Sequence, residues 1–489
     1  MNYKGLGGLA TIYDLASKAY ITTLEDDLEQ DKSKIIIENQ NTQDLYEPKN
    51  YKEALASPYK DFWIKAMEIE LGSLETNNTW DLVNKPDNIK VLKTRWVYKL
   101  KQIGTSVQFK ARFVAKGFEQ LYGLDYQETF AAVIKQLAWR LIFALAMLNN
   151  WYIYKVDMIS AFTQGDIDYF LYITQPEGYT SLVNPKGVLK LNKALYGLKQ
   201  SARIWYFTLR EVLIKLGFKV LNTDSNIFIN KELDIIIYLY IDDLAIIGPK
   251  LDTIKAFIKN LKQFFKLKEL GLIKDYLGIE VEYKEHSLKL YQTKYIDKIL
   301  ARFDMNNTKT YNTPMDNRAK LDPNKAQALK EDIKWFQALI GCLLFLMLAT
   351  RPDIAYSVIL LARFASNPSI EHIIAIKRVL RYLKGTRHLG ITYSYNNDLN
   401  IIGYCDADYA GDIASAKSTS GYIFYIANAP FMWKSKLQSI IAQSSTESEY
   451  IAINLAAKEA VFIINLMTEL GFYKEGYKLP IYIDNSGAL

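Results

Sequence analysis

Apolar and polar positions alternate along most of the chain with periods that predict both helices and strands. Apolar residues recur at helical spacing in the segments 60–80, 134–151, 195–218, 333–387 (broken at 350–352) and 446–470. β-branched and aromatic residues predict strands in the segments 91–118, 152–157, 235–248, 399–436 and 479–487. Because helices and strands interleave throughout, the predicted fold class is mixed α and β.

Two adjacent aspartates interrupt an apolar stretch, IIIYLYIDDLAIIG, at 235–248. Ile235–Ile241 predicts one strand and Leu244–Ile247 a second, so Asp242 and Asp243 fall at a tight hairpin turn. Neither strand alternates with polar residues, which indicates a sheet covered on both faces. Two carboxylates this close repel each other unless a cation joins them. The pair is therefore either a solvated turn, where Asp is common, or part of a divalent-metal site.

An upstream aspartate can complete such a metal site. Asp157 ends the predicted strand YIYKVD, 85 residues before Asp242. A strand, a helix and a hairpin in this order lay two strand ends side by side in one sheet. Three converging carboxylates could hold two divalent ions, which clamp the attacking and leaving oxygens of a phosphoryl transfer. Oxygen ligands favour Mg²⁺ over zinc. Asp157 alone could equally be a helix N-cap or a turn residue.

Basic charge is concentrated in two segments of the chain. The 489 residues, enough for roughly two to four domains, carry a net charge of +7. Lys90–Lys116 holds eight basic residues and no acid, and Lys250–Arg302 holds twelve basic and seven acidic residues. Aromatic residues are interleaved with these charges, which favours a polyanionic partner such as nucleic acid. The alternative for Lys90–Lys116 is an ordinary solvated face.

The acidic residues, the cysteines and the apolar runs predict local disorder, the redox compartment and whether a segment can span a membrane. Leu24–Pro48 holds eight acids and two bases, so we expect an acidic, disordered leader at 1–46. Cys342 and Cys405 form neither a disulfide framework nor a zinc spacing, which indicates a reducing compartment. No secretory signal is visible. The apolar run Ala338–Ala349 is too short to span a bilayer and predicts a buried helix.

Ten motifs in a fixed order resemble one known family. They are KARFVAKGFEQLYGLDYQETFAAV, KVDMISAFTQGD, LNKALYGLKQSARIWY, YIDD, YLGIEVE, ATRPDIAYSV, VLRYLKGTRHLGITY, YCDADYAGD, KSTSGYIFYI and SSTESEYIA. Over residues 47–489 the chain resembles the reverse transcriptase of copia-type LTR retrotransposons. The resemblance implies a right-hand polymerase followed by a ribonuclease H domain. The implied segments are the leader at 1–46, fingers and palm at 47–250, a thumb-like region at 251–330, a helical connection at 331–397 and a partial ribonuclease H-like domain at 398–489.

The resemblance also implies roles for the polymerase residues. Asp157 and Asp242 would hold two Mg²⁺ ions, with Mn²⁺ as an alternative, and Asp243 would be the supporting third ligand. Phosphoryl transfer then depends mainly on positioning and on neutralising charge.

Four further residues match positions that meet the nucleotide in this family. Lys110 and Arg112 lie where the fingers reach the triphosphate, and either could make that contact. Phe162 stands where an aromatic blocks a ribose 2′-OH, which implies a preference for deoxynucleotides. Gln200 lies in the segment that supports template and incoming nucleotide. The alternatives are strand-surface charge for Lys110 and Arg112 and core packing for Phe162.

A second carboxylate set resembles the two-metal site of ribonuclease H. Asp406 lies on a predicted strand, Glu449 on a predicted helix and Asp484 at the end of a strand. Glu447 is two residues from Glu449 and faces another way, and the family pattern selects Glu449. The sequence ends five residues after Asp484, where the fold normally continues with a helix and a fourth carboxylate. We therefore expect impaired hydrolysis of RNA.

The chain departs mildly from the family pattern elsewhere. Ala132 and Ala202 stand where proline is usual, and Thr163 stands where leucine is usual. The three histidines (286, 372 and 388) are expected to be structural.

The resemblance as a whole implies an RNA-directed DNA polymerase that extends a primer on an RNA or DNA template with deoxynucleoside triphosphates. The implied locations are cytoplasmic virus-like particles and/or the nucleus, without secretion or membrane binding, and other polyprotein products are implied partners. Two alternatives remain. One is a non-catalytic transposon remnant that still binds nucleic acid. The other is a different metal-dependent nucleotidyl enzyme, such as a cyclase, which the long basic segment and the second carboxylate set disfavour.

Overall fold

The computed structural model describes residues 36–38, 45–103, 106–130, 136–284, 286–316, 321–395, 398–412 and 414–488. These residues form two compact units. The first unit comprises the described residues of Met1–Ala132, Met158–Gly217 and Lys262–Lys268. The second comprises those of Val133–Asp157, Phe218–Leu261 and Glu269–Leu489. The predicted fingers-and-palm segment, 47–250, therefore contributes to both units.

The first unit contains three helices and two small sheets in its described part. The helices are α1 (Tyr51–Ala56), α2 (Lys60–Thr76) and, later in the chain, Ser201–Lys215. The strands are β1 (Ile36–Glu38), β2 (Trp80–Val83), β3 (Val91–Leu92), β4 (Thr94–Ile103), β5 (Ser106–Ala115), β7 (Tyr172–Ile173) and β8 (Val188–Leu191). Their sheet orders are β1-β5-β4 and β2-β8-β7-β3.

The predicted basic hairpin is confirmed as β4 paired antiparallel with β5. Its bend, at 104–105, lies outside the described residues. Phe109, Ala111 and Phe113 alternate along β5 with more exposed residues and are buried, so one face of the hairpin builds the core. Helix α2 covers that face, and the rings of Trp63 and Phe109 meet edge to face at 4.7 Å.

Part of the predicted disordered leader is instead a strand. Ile36–Glu38 forms β1 and pairs antiparallel with residues 106–108 of β5. The local reason is the β-branched run III in KIIIE, which suits an extended, half-buried backbone better than its acidic surroundings suggest. Residues 1–35 and 39–44 of the leader lie outside the described residues.

The second unit is built on a six-stranded sheet. Its order is β13-β6-β12-β11-β10-β9, made of β6 (Tyr152–Met158), β9 (Lys219–Val220), β10 (Ile227–Asn230), β11 (Ile235–Tyr240), β12 (Asp243–Gly248) and β13 (Leu267–Leu272). Residues 235–239 of β11 and 244–248 of β12 are all buried, which confirms that both faces of this sheet are covered. Helix α3 (Gln136–Leu148) is buried in the same core.

Two further four-stranded sheets and six more helices complete the described part of this unit. One sheet has the order β14-β15-β16-β17, with bounds Asp275–Tyr276, Ile279–Lys284, Ser287–Tyr291 and Gly390–Ser394. The other has the order β20-β19-β18-β21, with β18 at Ile402–Asp412, β19 at Lys417–Ile426, β20 at Ala429–Leu437 and β21 at Ile481–Tyr482. With Ser201–Lys215 as α4, the helices are α5 (Leu251–Leu261), α6 (Thr293–Arg302), α7 (Lys330–Ala349), α8 (Ala355–Ala362), α9 (Ile370–Gly385) and α10 (Ser445–Glu469).

Helices α7 and α10 are long and apolar enough to cross a membrane by length and composition alone. Helix α7 begins at Lys330 and so extends well beyond the apolar run from which we predicted a helix too short to span a bilayer. Leu339, Leu343 and Leu346 of α7 are fully buried in the core of the second unit, as the prediction of a buried helix requires.

Arg140, on α3, is a buried cation that ties three elements of the second unit together. Its guanidinium donates to the carbonyl oxygens of Phe431 at 2.6 Å, Leu348 at 2.5 Å and Ala349 at 3.0 Å. It also lies 4.1 Å from the ring centroid of Trp433. Burial lowers the pKa of Arg140 to about 10. The carbonyls at the C-terminus of α7 suit a cation, because that helix end carries partial negative charge.

A second buried arginine, Arg351, lies in the helix break predicted at 350–352 and hydrogen-bonds to residues on either side of it in space. Arg351 is 1% exposed and donates two hydrogen bonds, at 2.9 and 2.7 Å, to the carboxylate of Asp353. It also donates to the carbonyl and hydroxyl oxygens of Thr386, just beyond α9. The Tyr382 hydroxyl donates to Asp353 at 2.7 Å. Burial would raise the pKa of Asp353, but the hydrogen bonds and charge of Arg351 outweigh it and hold the pKa below its usual value.

Replacing Asp353 by Ala should therefore lower the free energy of unfolding by about 3–5 kcal/mol, because it leaves the buried Arg351 cation without its carboxylate. Urea denaturation followed by circular dichroism measures the change. Asp322→Ala, at an exposed position, is the control and should cost at most about 0.5 kcal/mol. Equal losses in the two variants would contradict the assigned role of the network.

Candidate functional site

The central sheet of the second unit brings two aspartates from distant parts of the chain face to face. Strand β6 pairs antiparallel with β12, and in this register Asp157 lies directly opposite Asp243. Side chains of directly opposed residues project from the same face of a sheet. The pairing that the order of strand, helix and hairpin predicted is therefore present.

Asp242 lies in the hairpin turn beside this pair. Strand β11 ends at Tyr240 and β12 starts at Asp243, so Ile241 and Asp242 form a two-residue connection. Ile241 adopts φ +53°, a left-handed conformation that is unfavourable for a β-branched residue. Tyr240 and Ile241 are both exposed at this tip. The turn holds Asp242 at the rim of the buried sheet, as the sequence predicted.

A lysine that the sequence analysis missed contacts this carboxylate group. The Nζ atom of Lys155, on β6, lies 3.6 Å from Oδ1 of Asp243 and 2.9 Å from Oδ1 of Asp275. Burial raises the pKa of Asp243, Lys155 opposes that rise, and the charges of Asp242 and Asp157 add to it. Burial would lower the pKa of Lys155, but its bonds to the two aspartates outweigh that effect and raise it. A charged residue inside the otherwise apolar YIYKV was the signal available in the sequence.

The residues present here fit a divalent cation. Asp157, Asp242 and Asp243 supply only carboxylate oxygens, which are the ligands that Mg²⁺ prefers. The mutual repulsion that raises the pKa of Asp243 is the repulsion that a cation at this group would relieve.

The second predicted carboxylate set also comes together, at one end of the β20-β19-β18-β21 sheet. One ligand atom each from Asp406 on β18, Glu449 on α10 and Asp484 after β21 lies within 4.8 Å of the others. Within the described part of the chain, this is the one trio of acidic, His or Cys side chains that meets this distance. Glu447 is not in it, because its carboxylate accepts from the backbone N–H of Gln443 at the start of α10.

Glu449 carries the strongest sign of a cation site. It is 5% exposed, and its Oε2 atom is buried without a hydrogen-bond partner. Its Oε1 accepts from the backbone N–H of Ala407 at 3.3 Å. Burial raises the pKa of Glu449, Asp406 and Asp484 raise it further, and the Ala407 N–H lowers it. A buried, unsatisfied carboxylate oxygen facing two other carboxylates is what a bound divalent cation would satisfy.

In the first unit, two of the four predicted nucleotide-site residues are connected through one tyrosine. The guanidinium of Arg112, on β5, lies 5.1 Å from the ring centroid of Tyr196. The ring of Phe162 meets the same Tyr196 ring edge to face at 4.7 Å. Tyr196 belongs to the motif LYGLKQ but was not predicted to take part, because a tyrosine in sequence gives no indication of its neighbours.

Lys110 and Arg112, on the central strand β5 of their sheet, lie near the half-buried acid Glu70. The backbone N–H of Phe113 donates to Oε1 of Glu70, on α2, at 3.3 Å. Burial raises the pKa of Glu70 to about 7, while the Phe113 N–H and the charges of Lys110 and Arg112 oppose that rise. Lys110 is exposed and Arg112 half-buried, so the two predicted triphosphate contacts differ in their surroundings.

Gln200, unlike Lys110 and Arg112, is fully buried. Its Oε1 atom accepts a hydrogen bond from the side-chain amide of Gln120 at 2.9 Å, and its Nε2 atom donates one to the carbonyl of Asp125 at 3.0 Å. Both ends of its amide are therefore used inside the protein. Its predicted contact with the nucleotide stays a prediction. Its partner Gln120 also accepts from the backbone N–H of Lys199 at 2.8 Å.

Gly197 fixes this same segment against β5. It has φ +92°, and a Cβ atom there would collide with the carbonyl oxygen of Ala115. The N–H of Ala115 donates to the carbonyl of Tyr196 at 2.9 Å, so the two backbones lie side by side. Only glycine permits both this backbone conformation and this close approach.

Comparisons with known proteins identify a matching family and relatives of similar sequence. The family model described as "Reverse transcriptase (RNA-dependent DNA polymerase)" matches residues 77–317. The retrovirus-related Pol polyprotein from transposon TNT 1-94 of Nicotiana tabacum is 36% identical over 91% of this chain and 34% of its own length. The corresponding polyprotein from transposon RE1 of Arabidopsis thaliana is 38% identical over 87% of this chain and 29% of its own length.

A putative transposon Ty5-1 protein of Saccharomyces cerevisiae is 32% identical over 62% of this chain and its entire own length. A solved foamy viral protease–reverse transcriptase in complex with double-stranded DNA aligns over 86% of this chain and 62% of its own, with 14% identity and a TM-score of 0.45. The chain spans about a third of the length of the two plant polyproteins, 34% and 29%.

The mixed α and β fold is that of a reverse transcriptase. The chain belongs to the reverse transcriptase family of copia-type retrotransposon Pol polyproteins.

Gly197→Ala should destabilise the protein by at least about 2 kcal/mol more than Gly123→Ala. Both glycines have positive φ, +92° and +84°, but a Cβ atom at Gly123 meets nothing within 4 Å. The control therefore carries only the conformational cost of about 1–2 kcal/mol, whereas Gly197→Ala adds overpacking against β5. Urea denaturation of both variants measures the difference, and equal stabilities would show that the close approach at Ala115 is absent.

Proposed function

We propose that this chain is an RNA-directed DNA polymerase that adds deoxynucleotides to a primer, with two Mg²⁺ ions in its active site. The observation that carries the proposal is the register that sets Asp157 opposite Asp243, with Asp242 in the adjoining turn. Three carboxylates at one rim of a buried sheet suit the binding of phosphate-bound cations. The membership of the family supports the same activity.

In this proposal Asp157 and Asp242 hold the cations and Asp243 supports them. When bound, the cations neutralise charge on the transferring phosphoryl group and orient it. The protein supplies rigid positions, because Asp157 follows the buried residues 153–156 of β6, and Asp242 directly precedes β12, whose residues 244–248 are buried. Rigid placement of this kind accounts for much of the catalysis in phosphoryl transfer.

The first unit would recognise the nucleotide. Arg112 or Lys110 contacts the triphosphate, and Phe162 excludes a 2′-OH, with Tyr196 packed between Arg112 and Phe162. Aromatic packing of this kind reduces the freedom of the Phe162 ring, which a steric filter for the sugar requires.

The partners in this proposal are an RNA or DNA template with its primer, deoxynucleoside triphosphates and other products of the polyprotein. The basic segments Lys90–Lys116 and Lys250–Arg302 supply the phosphate contacts. Binding of the template should be largely independent of sequence and should weaken steeply with salt. The proposed locations are cytoplasmic virus-like particles and/or the nucleus.

Asp242→Asn should reduce primer extension on a primed RNA template, with Mg²⁺ and four deoxynucleotides, by about two orders of magnitude or more, because it removes charge at the reacting phosphate. Asp234→Asn is the matched control. Asp234 has φ +54° in the turn at the other end of β11, and asparagine tolerates that conformation.

Wild-type synthesis that Asp234→Asn retains and Asp242→Asn loses would support the polymerase. Template binding at low salt without any synthesis by the wild-type protein would instead identify a non-catalytic nucleic-acid binder.

We also propose a ribonuclease H-type phosphodiesterase activity at Asp406, Glu449 and Asp484. The buried, unpartnered Oε2 atom of Glu449 beside two carboxylates supports it. Our expectation from the sequence that this hydrolysis is impaired stays a prediction. The three side chains would hold divalent cations, and their carboxylate oxygens suit Mg²⁺.

Glu449→Gln should remove cleavage of the RNA strand in an RNA–DNA hybrid while leaving primer extension unchanged. Glu447→Gln is the control on the same helix, since its carboxylate only accepts from the Gln443 N–H. A labelled hybrid separated on a denaturing gel measures the cleavage. If the wild-type protein cleaves the hybrid and the Glu449→Gln variant cleaves it equally, the proposed site is wrong. No cleavage by the wild-type protein would agree with the expected impairment.

A further inference from the structure

Lys155 lies inside the polymerase site and is held there from two sides. It stands two residues before Asp157 on β6, so the two side chains project from the same face. Its partner in the register is Ala245, whose small side chain leaves room for the lysine stem to run along the sheet. The ammonium lies 3.6 Å from Asp243 and 2.9 Å from Asp275.

The burial of both side chains favours the ion pair between the Lys155 ammonium and Asp243. The Lys155 side chain is 9% exposed and that of Asp243 24% exposed, so both have lost most of their contact with water. A charge this deeply buried needs an opposite charge beside it. Asp275 is 70% exposed and anchors the ammonium from the solvent side. Lys155 is thus fixed at the carboxylate that sequence analysis expected to support a metal.

A fixed ammonium and a divalent cation compete for the same carboxylate. Both are positive, and in a partly buried site their repulsion is weakly screened. The geometry agrees: the described trio that converges within 4.8 Å is Asp406, Glu449 and Asp484, and the polymerase trio does not reach this distance. Asp243 is the polymerase carboxylate that pairs with Lys155.

We propose that Lys155 is a positioning residue that holds Asp243 as its ion-pair partner in the nucleotide-free protein, so that Asp157 and Asp242 take the divalent cation. This inference rests on the proposed polymerase site. Lys155 supplies the positive charge that keeps three neighbouring carboxylates compatible in one folded structure before any metal binds. It also weakens metal binding at Asp243.

The test is Mn²⁺ binding measured by electron paramagnetic resonance on the full chain without nucleotide or nucleic acid. All variants carry Asp406→Asn, which weakens binding at the second carboxylate set. In this background, Asp242→Asn and Asp157→Asn should weaken Mn²⁺ binding by at least about tenfold, whereas Asp243→Asn should change it by less than about twofold. Lys155→Met should tighten binding by about tenfold, since Asp243 is then released to the metal.

A double variant makes the test specific. Adding Asp243→Asn to Lys155→Met should cancel the gain, because the released carboxylate is its source. Methionine keeps an unbranched stem of similar length at this buried position, and Lys155→Gln is a second variant that keeps a polar end. Far-UV circular dichroism and the thermal midpoint confirm folding of each variant.

The outcomes separate this inference from the proposed function. If Asp243→Asn weakens Mn²⁺ binding as much as Asp242→Asn, Asp243 is a ligand despite Lys155, and the inference is wrong while the polymerase site stands. If Lys155→Met leaves the affinity unchanged, the inference is wrong in the same way. If neither Asp157→Asn nor Asp242→Asn changes the affinity, the metal site of the proposed polymerase fails, and this inference fails with it.

Discussion

The antiparallel pairing of β6 with β12 is the constraint on which the proposed chemistry depends. It sets Asp157 opposite Asp243 and leaves Asp242 in the turn beside them. A slip of one residue would move every side chain of β6 to the other face of the sheet. The buried residues of both strands prevent such a slip, because it would exchange their environments. The core therefore determines the position of the carboxylates, and the carboxylates themselves contribute repulsion.

The two carboxylate sites of the second unit differ in how the repulsion between their carboxylates is neutralised. At the central sheet, a protein cation, Lys155, lies beside Asp243. At the β20-β19-β18-β21 sheet, Asp406, Glu449 and Asp484 converge, and one oxygen of Glu449 has no partner. The second arrangement leaves more of its charge to be neutralised by a bound cation. Buried arginines elsewhere in this unit, Arg140 and Arg351, hydrogen-bond to main-chain carbonyls of neighbouring elements.

The sequence was sufficient for the features that depend on local pattern and on motif order. The hairpin with its aspartates, the strand that carries Asp157 and the buried helix α7 all follow from periodicity. Lys155, Tyr196 and the burial of Gln200 could not be predicted, because each depends on which distant residue folds next to it. Strand β1 was missed because the acidic composition around it concealed three β-branched residues.

Anomalous diffraction from crystals that contain the protein, a primed template, a deoxynucleotide and Mn²⁺ tests the central claim most directly. We expect anomalous peaks beside the carboxylates of Asp157 and Asp242, because the paired strands place these carboxylates at the rim where the proposed mechanism requires the cations. Peaks confined to Asp406, Glu449 and Asp484, with none beside Asp157 and Asp242, would contradict it. Asp157 and Asp242 would then not be ligands of the catalytic cations.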